Sequence, residues 1–114
     1  MLANKYKISE SIIDEKKMIL EGIIDSVSEE EKKRIYQLFN EGFSKLDNEM
    51  IRTIEVFFRC GLNLSDAAKE LYIHRNTLIY RLDKIEKYTG YDIRNFNNAV
   101  LFKVVFFIWK EKNK

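Results

Sequence analysis

Residues 63–88 read NLSDAAKELYIHRNTLIYRLDKIEKY. Apolar residues recur here at the three- and four-residue spacing of amphipathic helices, first over about 63–72 and again over about 74–88. Two short helices that cross steeply need small residues where they meet, an apolar plug in the turn and an apolar stripe behind the second helix. Ala67 and Ala68 supply the small contact, Leu71 and Ile73 plug the turn, and Leu78, Leu82 and Ile85 form the stripe. Asn63 is a good N-cap for the first helix, with Asp66 near its positive end, where a carboxylate is favoured. The pattern is a helix-turn-helix.

With that stripe turned inward, the outward and N-terminal positions of the second helix are His74, Arg75, Asn76, Thr77, Tyr80, Arg81 and Lys84. Nearly all of them hydrogen-bond or carry positive charge. That is the chemistry of a recognition helix, whose N-terminal residues meet base edges in the major groove. Arg75 suits the two acceptors of guanine, and Asn76 suits the adenine edge. Thr77, Tyr80, Arg81 and Lys84 are better placed for phosphates, which fix register without reading sequence. Asn63 and Ser65, at the start of the first helix, complete the candidate DNA-binding set.

The flanking segments also read as helices. Ser9 is positioned to cap a first helix to about Asp25, with Ile12, Ile19, Leu20, Ile23 and Ile24 at helical spacing. Ser28 with Glu31 three residues on is a capping-box signature for a second helix to about Glu41, and Gly42 is placed to end it in a left-handed cap. Asp47 caps a third helix carrying Met50, Ile51, Ile54, Phe57 and Phe58, with Gly61 just past its end. Gly90 stops the recognition helix, and a last helix spans about 97–111. Its apolar residues run nearly all round, so it is expected to be buried on more than one side. A strand competes there because β-branched and aromatic residues dominate, but the length favours a helix.

Composition agrees. The 114 residues contain no proline and four glycines, which leaves the chain free to be mostly helical. At 46% hydrophobic and 33% charged, it is too apolar for disorder and suits one ordinary globular core. Residues 1–50 hold 8 basic and 11 acidic side chains, whereas residues 51–114 hold 12 and 7, a weak pointer to a polyanion at the second half. The longest apolar stretch, Ala99–Trp109, is interrupted by Lys103 and is about half of what a membrane span needs, so no membrane partner is expected. With a single cysteine, Cys60, no internal disulfide can form, and a reducing, cytoplasmic setting fits. Cys60 follows Phe57 and Phe58 and reads as a core residue.

Enzyme readings lack an assembled site. His74 is the one histidine, and with Cys60 it has no recognisable metal-ligand spacing. Ser65, Asp66 and His74 are triad residue types on adjacent helical positions without nucleophile-elbow glycines. Neither a metal, a cofactor nor an enzymatic activity is expected. A protein-interaction module that keeps the helix-turn-helix fold without DNA binding is the alternative, since Asp83 and Glu86 partly neutralise the basic face.

The run Asn63-Leu64-Ser65, Ala67-Ala68, Leu71, His74-Arg75-Asn76-Thr77-Leu78 and Tyr80-Arg81-Leu82, ending at Ile85, Thr89 and Gly90, resembles the C-terminal helix-turn-helix of the PucR and CdaR regulators. These are the purine-catabolism and sugar-diacid regulator families; a more distant similarity is to Fis. The likeness extends from Leu46-Asp47 through Phe102. It implies an all-α, Fis-like bundle of five or six helices, with a helical segment over 1–45 that serves dimerisation or ends an upstream region, and a DNA-binding domain over 46–114. It implies double-stranded DNA as partner, a homodimer, and Arg75, Asn76, Thr77, Tyr80 and Arg81 at the DNA with His74 opening the recognition helix. Residues 1–45 are too short for the sensory region such regulators carry, so their effector is not expected to bind this chain. One departure is Tyr72, at a turn position where many helix-turn-helix proteins have glycine. A tyrosine there implies a strained conformation or a different turn.

Overall fold

The computed structural model describes residues 15–113, and the chain divides into two compact units between Arg34 and Ile35. The described residues hold six helices and no strand: α1 over 15–25, α2 (Glu29–Phe43), α3 (Asn48–Arg59), α4 (Leu64–Leu71), α5 (Arg75–Thr89) and α6 (Phe96–Lys112). The fold is the all-α bundle that the cap signals and apolar spacing predict. None of these helices is long and apolar enough to cross a membrane.

In the first unit, α1 leaves Met18, Ile19 and Ile23 exposed and buries Ile24. The proposed Ser9 cap and Ile12 lie outside the described residues. At the start of α2, the Ser28 hydroxyl oxygen accepts the Glu31 backbone N–H at 3.1 Å. The Glu31 carboxylate does not complete the box. It accepts from the Arg34 guanidinium instead, and that hydrogen bond, with the charge beside it, holds Glu31 below the usual carboxylate range.

The second unit opens with the remainder of α2, upstream of the 46–114 span suggested by the resemblance. Its core is aromatic. The Phe43 ring centroid lies 5.2 Å from that of Phe102, 6.0 Å from Phe106 and 5.7 Å from Trp109. The Trp109 indole N–H donates to Asn40 Oδ1 at 3.0 Å, so the large ring is buried without stranding its donor. Residues Ala99, Phe102, Val105, Phe106, Ile108 and Trp109 are buried on a broad arc of α6, while Val100 and Leu101 stay exposed. Against this wall pack Met50, Ile54, Val56 and Phe57 of α3, which starts where Asp47 Oδ1 accepts the Met50 N–H at 2.8 Å. Cys60 closes α3 half-buried against the core, and burial pushes its thiol above the usual range, the environment of an inert cysteine.

Gly42 corrects the sequence reading. The helix continues to Phe43, and the positive-φ glycines among the described residues are Gly61 and Gly90. What Gly42 provides is space: a Cβ there would run into the Tyr88 carbonyl oxygen at the end of α5. The terminus of the recognition helix is therefore seated on α2 by a backbone approach that only glycine permits.

Two substitutions test this packing. Leu82→Ala, at a fully buried position, is expected to cost about 2–5 kcal/mol. Gly42→Ala is expected to lower the melting temperature too, because the obstruction is backbone and cannot rotate away. Thermal melts followed by circular dichroism check both, and a Leu82→Ala protein of wild-type stability would mean that α5 faces the other way.

Candidate nucleic-acid interface

The helix pair α4–α5 is built as its sequence requires. Asn63 Oδ1 accepts the Asp66 N–H at 3.0 Å and caps α4, which places Asn63 in the architecture of the motif. Ala67 and Ala68 are buried where α4 meets its neighbours, and Leu71 and Ile73 pack partly buried against the core. Leu78, Leu82 and Ile85 are fully buried, which fixes the face of α5 that turns inward.

The opposite face and the N-terminal end of α5 are open. His74, Arg75, Asn76 and Thr77 are exposed, and among the described residues their side chains have no hydrogen-bond or ion-pair partner. Tyr80 is 60% exposed. Lys84 lies with its ammonium 5.5 Å from the centre of the Tyr80 ring, and a hydrogen bond with the Tyr80 hydroxyl raises its pKa above the ordinary lysine value. Ser65 stands exposed in the first turn of α4. These exposed residues are polar, and Arg75 and Lys84 among them are cationic.

The start of α5 differs from the other helix starts. The side chains of Ser28, Asp47, Asn63 and Asn95 each accept a backbone N–H at the beginning of α2, α3, α4 and α6. His74 occupies the N-cap position of α5 but makes no side-chain cap bond. The first N–H groups of α5 therefore keep their donors and the positive end of the helix dipole directed at solvent, beside Arg75 and Asn76.

Arg81 is placed differently from the other expected contacts. Its guanidinium turns to α3, with Nη2 2.9 Å from Glu49 Oε1 and Nη1 donating to Thr53 Oγ1 at 3.3 Å. Neither partner was foreseen. The signal for Thr53 was a lone polar residue inside the apolar stripe of α3, where it is fully buried.

The acidic residues of α5 are also engaged. Arg94, in the loop before α6, lies 2.8 Å from Asp83, 3.6 Å from Glu86 and 2.6 Å from Asp92. Burial alone would raise the Asp92 carboxyl, but hydrogen bonds from the Arg94 side chain and backbone N–H, with its charge, hold it below the usual range. Burial alone would lower the pKa of Arg94, but its hydrogen bonds to Asp92 and Asp83, with their charges, raise it. The negative charge that seemed to blunt the basic face is thus tied to one arginine. Among the described residues there is no group of three or more His, Cys, Asp and Glu arranged to hold a metal ion.

The turn between α4 and α5 resolves the question of Tyr72. Its backbone is left-handed, φ 56° and ψ 43°, and its N–H reaches the carbonyls of Ala68 and Lys69. The turn keeps the geometry a glycine would give, and the tyrosine side chain is 94% exposed.

The family model of the PucR C-terminal helix-turn-helix domain matches residues 50–106. The carbohydrate diacid regulator of Escherichia coli (strain K12) is 39% identical over 61 residues, 54% of this chain and 16% of that protein. The purine catabolism regulatory protein of Bacillus subtilis (strain 168) is 39% identical over 49 residues, 43% of this chain and 9% of that protein. The DNA-binding transcriptional activator AdeR of the same organism is 35% identical over 74 residues, 59% of this chain and 18% of that protein. The chain spans about a quarter or less of the length of the curated relatives it matches. The regulator of polyketide synthase expression from Bifidobacterium adolescentis shares the fold, with TM-score 0.63 and 24% identity over 73% of this chain and 35% of that chain.

Left-handed backbone costs a non-glycine residue about 1–2 kcal/mol, and glycine returns part of that through its greater freedom when unfolded. Tyr72→Gly is therefore expected to stabilise the protein by up to about 1 kcal/mol. Denaturant titration measures it, and a destabilised variant would mean that the exposed ring contributes to the folded state.

Proposed function

The chain belongs to the PucR C-terminal helix-turn-helix domain family of transcriptional regulators, and from that premise we propose that it binds double-stranded DNA sequence-specifically, with α5 in the major groove. The observation that carries this reading is the open N-terminal end of α5. There, uncapped N–H groups and the unpartnered His74, Arg75, Asn76 and Thr77 face solvent together. An anion is favoured at such a helix end, and a DNA phosphate beside it would set the depth of the helix. Arg75 and Asn76 then read base edges, while Ser65, Thr77, Tyr80 and Lys84 hold the backbone. Asn63 holds α4 in register.

The chain acts as a regulator module and not as an enzyme, in the cytoplasm, and does not itself bind the effector. One recognition helix covers only a few base pairs, so the functional unit is a homodimer reading half-sites about 34–36 Å apart. The apolar residues Met18, Ile19 and Ile23, exposed on α1, are the surface we assign to that dimer. The buried arc of α6 is already committed to the core. Sedimentation that shows only monomer, free and bound to a palindromic duplex, would remove the dimer.

Electrophoretic shifts with promoter-derived fragments, repeated across salt concentrations, test the DNA reading against an interaction module without DNA affinity. Arg75→Ala and Asn76→Ala are expected to lose discrimination between sites by about 1–3 kcal/mol each. Lys84→Ala should weaken all duplexes alike and flatten the salt dependence. Identical behaviour of the three variants would refute the division into base readers and phosphate anchors.

A further inference from the structure

Building on the DNA-binding reading above, we propose that Arg81 is a positioning residue, which sets the rotation of the recognition helix through α3 and is not itself a phosphate anchor. Its sequence position, between Tyr80 and the buried Leu82, puts it on the flank of α5. Its side chain is 18% exposed, and its two contacts converge on one spot of α3. Glu49 takes Nη2 at 2.9 Å, and the hydroxyl of the fully buried Thr53 takes Nη1 at 3.3 Å. That hydroxyl in turn donates to the Glu49 carbonyl oxygen at 2.8 Å, so both acceptors are fixed to the same turn of α3.

The apolar stripe behind α5 decides which face is buried, but apolar contact is non-directional and tolerates sliding and small rotations. A planar guanidinium held at two points does not. Among the described residues, Arg81 makes the polar side-chain link between α5 and α3. Swinging it out to a phosphate would break the ion pair with Glu49 and the hydrogen bond to Thr53 together. Lys84, one turn further along, offers an ammonium that, among the described residues, makes no direct ion pair.

The two roles give opposite signs for one substitution. If Arg81 were an anchor, Glu49 would compete with phosphate for it, and Glu49→Ala would tighten binding. As a clamp, Glu49 is needed. The probe is a short duplex selected from a randomised pool by the wild-type chain, compared with a scrambled duplex at a temperature where melts show each variant folded. Arg81→Gln and Glu49→Ala are each expected to weaken the selected duplex about 3- to 30-fold, with the double variant no worse than the weaker single. The ratio of selected to scrambled affinity should fall, which loss of stability alone would not cause, and the salt slope should stay unchanged. Arg81→Lys, with charge but no fork, should not rescue. Tighter or unchanged binding by Glu49→Ala, rescue by lysine, or a salt slope reduced by about one in Arg81→Gln would overturn the clamp. Should Arg81→Gln fail to fold, Glu49→Ala, at an exposed position, decides alone. A wild-type chain that selects no duplex removes the DNA reading and the clamp with it, an outcome distinct from selection with the anchor pattern.

Discussion

The burial of Leu78, Leu82 and Ile85 with no residual exposure is the constraint from which the rest of the molecule follows. Once those three are inside, 3.6 residues per turn leave α5 one possible orientation, with Asn76, Thr77, Tyr80 and Lys84 away from the core. Ala67 and Ala68 make the arrangement possible by letting α4 approach closely, and Gly42 does the same where α5 ends on α2. Arg75, the first residue of α5, is exposed as well.

Charge is then arranged around that frame. Four carboxylates near the recognition helix are matched, Glu49 by Arg81 and Asp83, Glu86 and Asp92 by Arg94. What remains directed outward is cationic or neutral and polar: Arg75, Asn76, Thr77, Lys84 and the N–H groups at the start of α5. A nearly balanced net charge of +2 is thereby compatible with a positive face, because several acidic side chains close to the face are paired with arginines.

Much of this could be read from the residues, and the exceptions have physical reasons. Helix starts were readable because Asp47, Asn63 and Ser28 act on N–H groups three residues away. The inward stripe of α5 was readable because helical periodicity is local. The role of Gly42 was not, since it depends on the Tyr88 carbonyl, which belongs to another helix. Arg81 shows the same limit: polarity and position suggested a solvent-facing cation, whereas its partners Glu49 and Thr53 lie in α3, far away in sequence. Asp83 and Glu86 looked like a flaw in a basic face until Arg94 supplied their counter-charge. In Tyr72 the sequence posed two alternatives, and the turn took the left-handed one.

In the proposed complex, nucleic acid meets this chain at the exposed N-terminal half of α5. Titration of the isotopically labelled protein with duplex DNA, followed through backbone amide resonances, tests it most directly. The largest shifts are expected on residues 74–77, with smaller ones at Ser65, Tyr80 and Lys84, and all of them should shrink as salt is raised. Shifts concentrated instead on the exposed residues of α6, such as Val100 and Leu101, with α5 unmoved, would contradict it.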